Sequence, residues 1–480
     1  MTAAGAALRA QLQEVVGAEG LIGDGAAAEP YLTDHRRLYQ GRALAIVRPD
    51  TVAQVARVLA LCNAARVGVV PHGGNTSYCG GATPDASGAQ VVLSLALLNR
   101  IRSVDADNDS LVAEAGCLLA QVQQAAAAAG RLFPLSLGSE GSCQIGGNLS
   151  TNAGGTSVLR YGMMRDLVLG LEVVLADGRV LEALGGLRKD NTGYDLKSLF
   201  LGAEGTLGVI TAASLKLFPE VRARATALVA VADVAAAVAL LGRVRAAGSE
   251  RVTSFELIPR LALELAVRHI AGVRDPFAQA HPWYVLCELS SARAGDGLAA
   301  VLEETLAAAL AQHEIQDAVI GASARERADF WRLRENIPAA QSREGASLKH
   351  DISLPVSRLA AFVGQAAAWL EAHVPEGRLI AYGHVGDGNL HFNLSARAAG
   401  GGAALVARAG EVRRAVHDLV REFGGSFSAE HGIGQLKVEE LERYTSPVEL
   451  ALMHTIKNAL DPHGIMNPGK VLRAAGQESQ

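Results

Sequence analysis

The placement of glycine constrains this chain more than any other feature. Three segments within residues 71–211 combine glycine with asparagine, serine and threonine. The first is Pro71-His72-Gly73-Gly74-Asn75-Thr76-Ser77, at the end of an apolar run over 67–71. The second opens with Gly138-Ser139-Glu140-Gly141 and continues through Gly146-Gly147-Asn148-Leu149-Ser150-Thr151-Asn152-Ala153-Gly154-Gly155. The third is Phe200-Leu201-Gly202-Ala203-Glu204-Gly205-Thr206-Leu207-Gly208-Val209-Ile210-Thr211. Glycine lets backbone N–H groups approach an anion closely, and the neutral polar side chains add donors. None of the three carries a lysine, so the pattern suits a pyrophosphate held by backbone and hydroxyl groups. A single loop of this kind reads as an ordinary turn; three in one stretch do not. Two commoner motifs fail. Gly23-Asp24-Gly25 with Ala28 runs into Pro30 instead of a helix, and Gly464…Gly469-Lys470 is followed by Val471, which lacks a magnesium-binding hydroxyl.

Around these loops, apolar β-branched runs predict strands at 45–48, 67–71, 91–95, 110–115 and 167–175. Val52, Val55, Val58, Leu59 and Cys62 recur at helical spacing and predict a helix over 51–66 with Thr51 as its cap. Asp177-Gly178 predicts a tight turn between two strands. From about residue 221, strands alternate with helices: 227–231, 234–247, 252–258, 260–270, 283–289, 298–312, 318–320, 324–335, 349–354, 356–373 and 378–384. A short strand at 426–429 and a helix at 447–460 follow. The alternation predicts an α+β chain whose sheets carry helices on one face.

Composition matters mainly for what it excludes. At 480 residues, with 49% apolar and 19% charged, the chain is folded and too long for one core. A net charge of −5, with both signs interspersed, excludes a nucleic-acid footprint. Five cysteines, Cys62, Cys79, Cys117, Cys143 and Cys287, include no C-x-x-C pair, which argues against a disulfide framework or a cysteine zinc site. Residues 1–20 lack the pattern of a signal peptide, and no apolar run is long enough to span a bilayer. The expected location is the cytoplasm.

A second constellation is rich in histidine: Gly383-His384-Val385-Gly386-Asp387-Gly388-Asn389-Leu390-His391-Phe392-Asn393. With Asp387-Gly388 as a two-residue turn, Gly386 pairs with Asn389, Val385 with Leu390, and His384 faces His391. Directly opposed residues share a face with Cβ atoms roughly 5 Å apart, which suits two imidazoles on one metal ion. Glu430, in Ser428-Ala429-Glu430-His431-Gly432-Ile433-Gly434, is the third candidate ligand. Two histidines and one carboxylate leave an open coordination position, as catalytic sites require. The competing reading is a pair of structural histidines bonded to the backbone; clustering of titratable groups favours a site. Arg334 falls on a predicted helix and by itself reads as a solvated charge.

The glycine loops resemble the FAD-binding domain of the vanillyl-alcohol oxidase flavoprotein superfamily. Within it, Arg188-Lys189-Asp190-Asn191-Thr192-Gly193-Tyr194-Asp195-Leu196, ahead of Glu204-Gly205-Thr206, resembles the branch of D-lactate and D-2-hydroxyglutarate dehydrogenases. The resemblance covers residues 39–472. It implies a two-part FAD-binding domain (1–220), an α+β substrate domain (221–430) and a C-terminal segment (431–480) that returns to the first. It implies non-covalent FAD held by the first two loops, at Pro71–Ser77, Gly138, Ser139, Gly141, Gly146, Gly147, Asn148, Thr151, Asn152, Gly154 and Gly155, with Glu204, Gly205, Ile210 and Asn467. It further implies a divalent metal, taken as zinc, on His384, His391 and Glu430, with His431 as catalytic base. Arg334, Lys349 and Asn393 match substrate contacts.

The expected reaction is oxidation of a D-2-hydroxy acid. The metal activates the 2-hydroxyl, His431 takes its proton and hydride passes to flavin N5. An electron-transfer flavoprotein or a quinone is the implied acceptor, and a homodimer the implied assembly. Arg334 and Lys349 together favour the dicarboxylate D-2-hydroxyglutarate; D-lactate and glycolate are the alternatives. Two positions depart from the family pattern. Ser77-Tyr78-Cys79 stands where smaller or aliphatic residues are usual, and Pro338 replaces a substrate-contact threonine four residues after the arginine, removing that hydroxyl. A metal-dependent hydrolase and a non-catalytic flavin-binding module are the rival classes.

Overall fold

The apolar runs become strands wherever β-branched residues dominate, and their register sorts them into separate sheets. The computed structural model describes residues 2–397 and 402–473; residues 474–480 of the expected C-terminal segment lie outside them. The chain divides into two compact units. The first comprises Met1–Gly154, Met163–Glu220 and Glu430–Gln480; the second comprises Gly155–Gly162 and Val221–Ala429.

In the first unit, Leu21–Ile22, Ala45–Val47, Val91–Ser94 and Val69–His72 form a four-stranded sheet in that order. Val91–Ser94 pairs in parallel with both of its neighbours. Parallel strands need a crossover, and the helix Val52–Ala65 supplies it. Thr51 caps that helix by accepting from Gln54 N–H, and the buried stripe Val55, Val58, Leu59 and Cys62 faces the sheet core. A second, five-stranded antiparallel sheet runs Ile101–Asp105, Ser110–Glu114, Val209–Lys216, Val168–Val174 and Val180–Ala183. The Asp177-Gly178 turn joins the last two, with Gly178 at φ +87°.

The second unit is built on the antiparallel sheet Val252–Pro259, Trp283–Ser291, Ala223–Val231 and Asp317–Ile320. The expectation of helices on one face is corrected here. Ala227, Val229, Val285 and Cys287 pack with the helices Val234–Gly248 and Leu298–Ala311. Leu228, Ala230, Tyr284 and Leu286 pack with Arg260–His269 and Ala324–Glu335. Both parities of these strands are apolar, so both faces need cover. In the other sheet of this unit, Asn389–Ala396 is central. Gly377–Tyr382 pairs along one side of it, and Ser347–Leu348 and Asp351–Ser353 along the other.

Three local expectations also change. The strand expected over 349–354 is broken at Lys349 and His350, because His350 N–H goes to the Asn393 side chain at 3.3 Å and its ring Nδ1 meets Phe392 O at 2.9 Å. Residues 426–429 make only a single bridge, Ser353 to Ser426, since Ser426 and Ser428 satisfy each other's polar groups locally. Residues 155–162 leave the first unit's stretch of sequence and join the second. There Ser254 Oγ donates to Thr156 O at 2.7 Å, and Arg160 Nη1 donates to Ser290 O at 2.6 Å.

Candidate active site

In the first unit the glycine loops converge as the sequence suggests. A Cβ on Gly73 would lie 3.6 Å from Gly147 Cα, so the first two loops approach each other where neither has a side chain. Nothing lies within 4 Å of the Cβ directions of Gly138, Gly141 and Gly147. Asn75, Asn152, Glu204 and Asn467 all sit in the left-handed region, with φ of 52°, 48°, 51° and 42°. Asparagine tolerates that conformation better than most residues, whereas glutamate does so at a cost in strain. Gln144 Oε1 in the second loop and Asn467 Oδ1 in the C-terminal return are buried without a hydrogen-bond partner, and the ring nitrogens of His72 in the first loop have no more than distant contacts with the backbone of Pro30 and Gly73. A cradle bare of side chains and lined with unsatisfied polar atoms fits a polar ligand with a phosphate-rich middle. Burial lowers the His72 pKa to about 4, so its imidazole is neutral near pH 7.

Several of the predicted loop residues already have protein partners. Asn75 Nδ2 donates to Pro30 O and Thr33 O at 3.1 and 2.8 Å. Asn152 Oδ1 accepts from Arg165 N–H at 2.8 Å, and Thr151 Oγ1 donates to Gly147 O at 3.0 Å. The Glu204 carboxylate accepts from Ile433 and Gly434 N–H at 2.6 and 2.8 Å. Burial raises its pKa, and those two N–H groups oppose the shift. Asn467 Nδ2 bonds the Gly81 and Glu204 carbonyls. These side chains set the loops' shape and tie the C-terminal return to the first unit. Ile210 is buried in its strand opposite Val173.

That return carries His431, whose ring stacks at a tilt on Tyr78 with centroids 4.6 Å apart. The chain turns directly after it, as a useful His431 requires: Gly432 has φ +71° and Gly434 φ +54°. Space constrains both glycines as well, Gly434 against backbone and Gly432 against the end of a side chain. A Cβ on Gly432 would meet Glu204 Oε1 at 2.6 Å, and one on Gly434 would meet Cys79 O at 2.1 Å.

In the second unit His384 and His391 are neighbours, with ring centroids 5.6 Å apart. Their register is not the expected one. His391 pairs with Tyr382, so the strand partner of His391 lies two residues earlier than the Asp387-Gly388 hairpin requires. Gly383 explains the shift. It leaves the ladder at φ +138° and bridges Leu257 of the next sheet, with reciprocal N–H···O bonds of 2.8 and 3.0 Å. The chain then closes a wider loop in which Asp387, Gly388 and Asn389 N–H all point at His384 O. The wider loop still brings the His384 ring beside that of His391.

The reading of Arg334 as a solvated charge is corrected. It is 5% exposed; its Nε donates to Glu256 Oε2 at 2.9 Å, and its Nη2 forms an ion pair with the same oxygen at 2.8 Å. The other oxygen, Oε1, accepts from His384 Nδ1 at 2.7 Å. Burial pushes the Glu256 carboxyl up, but His384 and Arg334 overcome this and hold its pKa at about 2. Arg334 also lies over the Tyr382 ring at 5.1 Å. His391 Nδ1 is 3.8 Å from Asp351 Oδ1, and Asn389 Nδ2 donates to that same oxygen at 2.9 Å. Asn393 shares the face of His391, with its Nδ2 on Gln341 Oε1 at 2.9 Å. Lys349 is half-buried in the break before Asp351. The structure therefore gathers Arg334, His384, His391 and Asn393 in one unit. Glu256 and Asp351 were missed by the sequence reading. The available signal was a carboxylate inside the apolar run Phe255-Glu256-Leu257-Ile258.

The chain matches known proteins over most of its length. Residues 43–184 match the model of an FAD binding domain, and residues 220–471 match that of the C-terminal domain of FAD linked oxidases. The chain is 38% identical over 460 residues to the mitochondrial D-2-hydroxyglutarate dehydrogenase of Arabidopsis thaliana, covering 96% of this chain and 80% of that one. It is 40% identical over 455 residues to the mitochondrial enzyme of Bos taurus, covering 94% and 81%. To D-2-hydroxyglutarate dehydrogenase of Xanthomonas citri pv. viticola it is 38% identical over 467 residues, covering 96% of each. Among solved structures, p-cresol methylhydroxylase with substrate bound superposes with a TM-score of 0.77 at 17% identity, covering 100% of this chain and 99% of that one. Alkyldihydroxyacetonephosphate synthase gives 0.71 at 17% identity, covering 96% and 84%. At that identity the two structures establish the fold: the α+β, vanillyl-alcohol oxidase type.

Proposed function

We propose, for a chain that belongs to the family of FAD-dependent D-2-hydroxy acid dehydrogenases, that it oxidises D-2-hydroxyglutarate to 2-oxoglutarate. The carrying observation is 38–40% identity, over nearly the whole chain, to relatives named for that reaction. Bound FAD supplies the hydride acceptor, its N5. The first two glycine loops hold its diphosphate through backbone N–H groups. The buried polar atoms of His72, Gln144 and Asn467 are the side-chain contacts within reach of those loops.

His384 and His391 would hold a divalent cation, with Glu430 as the third ligand that the resemblance implies, and two imidazoles with one carboxylate suit zinc. His384 fits the role because Nδ1 is bonded to Glu256, which leaves Nε2 as its ligating nitrogen. Glu430 fits through the covalent chain. Ala429 N–H bonds Asp351 O at 3.3 Å, and Glu430 is the next residue, one Cα step of about 3.8 Å further. A cation there supplies Lewis acidity toward the 2-hydroxyl. His431, at the glycine turn, removes the hydroxyl proton.

Arg334 supplies positive charge to the substrate carboxylates, but its Nε/Nη2 edge already faces Glu256, so Nη1 is the remaining donor end. Lys349 then becomes the second cationic anchor that a dicarboxylate needs, and Asn393 a neutral contact. Pro338 favours a second reading, a monocarboxylate such as D-lactate, since it opens the helix Ile337–Glu344 where the family places a hydroxyl. The electrons leave to an electron-transfer flavoprotein or a quinone. The test is anaerobic flavin reduction across a panel of D- and L-2-hydroxy acids. Fastest bleaching by D-2-hydroxyglutarate is expected; preference for D-lactate moves the assignment to the second reading, and no bleaching by any of them refutes both.

A further inference from the structure

We infer that Glu256 is the positioning residue of this site, fixing the tautomer of His384 and the orientation of Arg334 through one carboxylate. The inference rests on the proposed cation site at His384. Glu256 occupies the middle of the strand Val252–Pro259, where all eight residues are buried. Its side chain is 1% exposed, in a place where a lone carboxylate would be strongly disfavoured. It persists there because each oxygen has a cationic or N–H partner: Oε1 with His384 Nδ1 at 2.7 Å, and Oε2 with Arg334 Nε and Nη2 at 2.9 and 2.8 Å.

An ionised carboxylate only accepts, so His384 Nδ1 carries the proton and donates. In the neutral imidazole the lone pair is then on Nε2. This is the arrangement in which a carboxylate behind a histidine orients the ring and raises its basicity toward a cation. The backbone reinforces the geometry. Leu257, the next residue after Glu256, exchanges two hydrogen bonds with Gly383, the residue before His384. The two partners are thus held by their neighbours as well as by their own bond. On the other oxygen, the Nε hydrogen bond and the Nη2 ion-pair contact converge and hold the Nε/Nη2 edge of the Arg334 guanidinium, which directs Nη1 away from Glu256. A change at Glu256 should therefore affect cation binding and substrate-anion binding together, although it belongs to neither set of ligands.

The experiment uses FAD-loaded protein and zinc in competition with a chromogenic chelator. Glu256→Gln keeps the size and removes the charge. It is expected to weaken zinc about 10–100-fold, the usual range for a lost outer carboxylate, while FAD content and the flavin spectrum stay at the wild-type level. His384→Asn separates the two ideas. If His384→Asn binds zinc as the wild type does, the cation site is wrong and this inference falls with it. If His384→Asn loses zinc but Glu256→Gln keeps wild-type affinity, the cation site stands and the role of Glu256 is refuted. A wild-type measurement covers the case in which Glu256→Gln does not fold. In the 15N–1H spectrum of histidine-labelled protein, with His384 assigned by its loss in His384→Asn, the proton is expected on Nδ1. A proton on Nε2 overturns the inference.

Discussion

Arg334→Met is the sharpest perturbation the structure offers. Glu256 and Arg334 have side chains 1% and 6% exposed, so neither charge has water to fall back on. Removing the guanidinium leaves the carboxylate with His384 alone. Breaking one partner of a buried pair typically costs about 3–5 kcal/mol, most of it the desolvation of the charge left behind. For a unit of about 200 residues that is roughly 6–20 °C in the unfolding midpoint. The assay is unusually clean. All three tryptophans, Trp283, Trp331 and Trp369, lie in the second unit, so their fluorescence reports its unfolding and not that of the first. The reasoning is decided by the partner variant. With Glu256→Leu and Arg334→Met combined, no uncompensated charge remains, and the double variant should recover most of the loss. A double variant as unstable as the sum of the two singles would refute the account, since independent contacts add and a charge pair does not.

Three further outcomes are expected. The protein should purify yellow, and acid or heat should release its FAD; flavin that stays with the denatured chain would contradict the non-covalent reading. His431→Asn should slow flavin reduction by about 100-fold or more with little change in substrate binding, as for a lost general base, and an unchanged rate in stopped flow would move the proton to another acceptor. His72 should make the first unit acid-sensitive. Its folded pKa of about 4 lies below the ordinary 6.5, so the unfolded chain takes up a proton that the folded one refuses. Stability is then lost as pH falls from about 6.5 to 4, by about 3 kcal/mol in all. Hydrogen-exchange protection factors in the strand Val69–His72, taken relative to the intrinsic exchange rate at each pH, should fall over that window, and His72→Gln should reduce that fall; protection independent of pH, or an equal loss in His72→Gln, would refute it.

Most of the scaffold was legible because its signals are local. The helix Val52–Ala65 follows from a 3.6-residue stripe and a threonine cap, and the strands of both units follow from β-branched runs. The glycine loops were legible for a related reason: lysine-free glycine clusters leave few alternatives to an anion cradle. What stayed hidden was non-local. Residues 155–162 carry no composition shift to mark their membership of the second unit. The His384–His391 register was missed because Asp387-Gly388 is a strong hairpin signal taken alone. Gly383 overrides it only through Leu257, more than a hundred residues away in sequence. The side chain of Arg334 looked solvated because its partner, Glu256, lies 78 residues earlier.

The miss at Arg334 has a further cause in the sheet itself. The sheet Val252–Pro259, Trp283–Ser291, Ala223–Val231, Asp317–Ile320 is covered by helices on both faces, so a polar group pointing out of it must be satisfied by protein. Glu288 illustrates the purely structural outcome. Its carboxylate is held by Arg224, Thr226 and Trp331 Nε1, which leaves nothing aimed at a ligand. Glu256, on the adjacent strand, has the same chemistry but different partners: a histidine with a second nitrogen and an arginine with a second amino group. Each partner thus meets the carboxylate with one side only. That difference distinguishes a buried carboxylate that only stabilises a sheet from one that orients a site. It also explains why a residue without ligand contact belongs in the account of how this enzyme works.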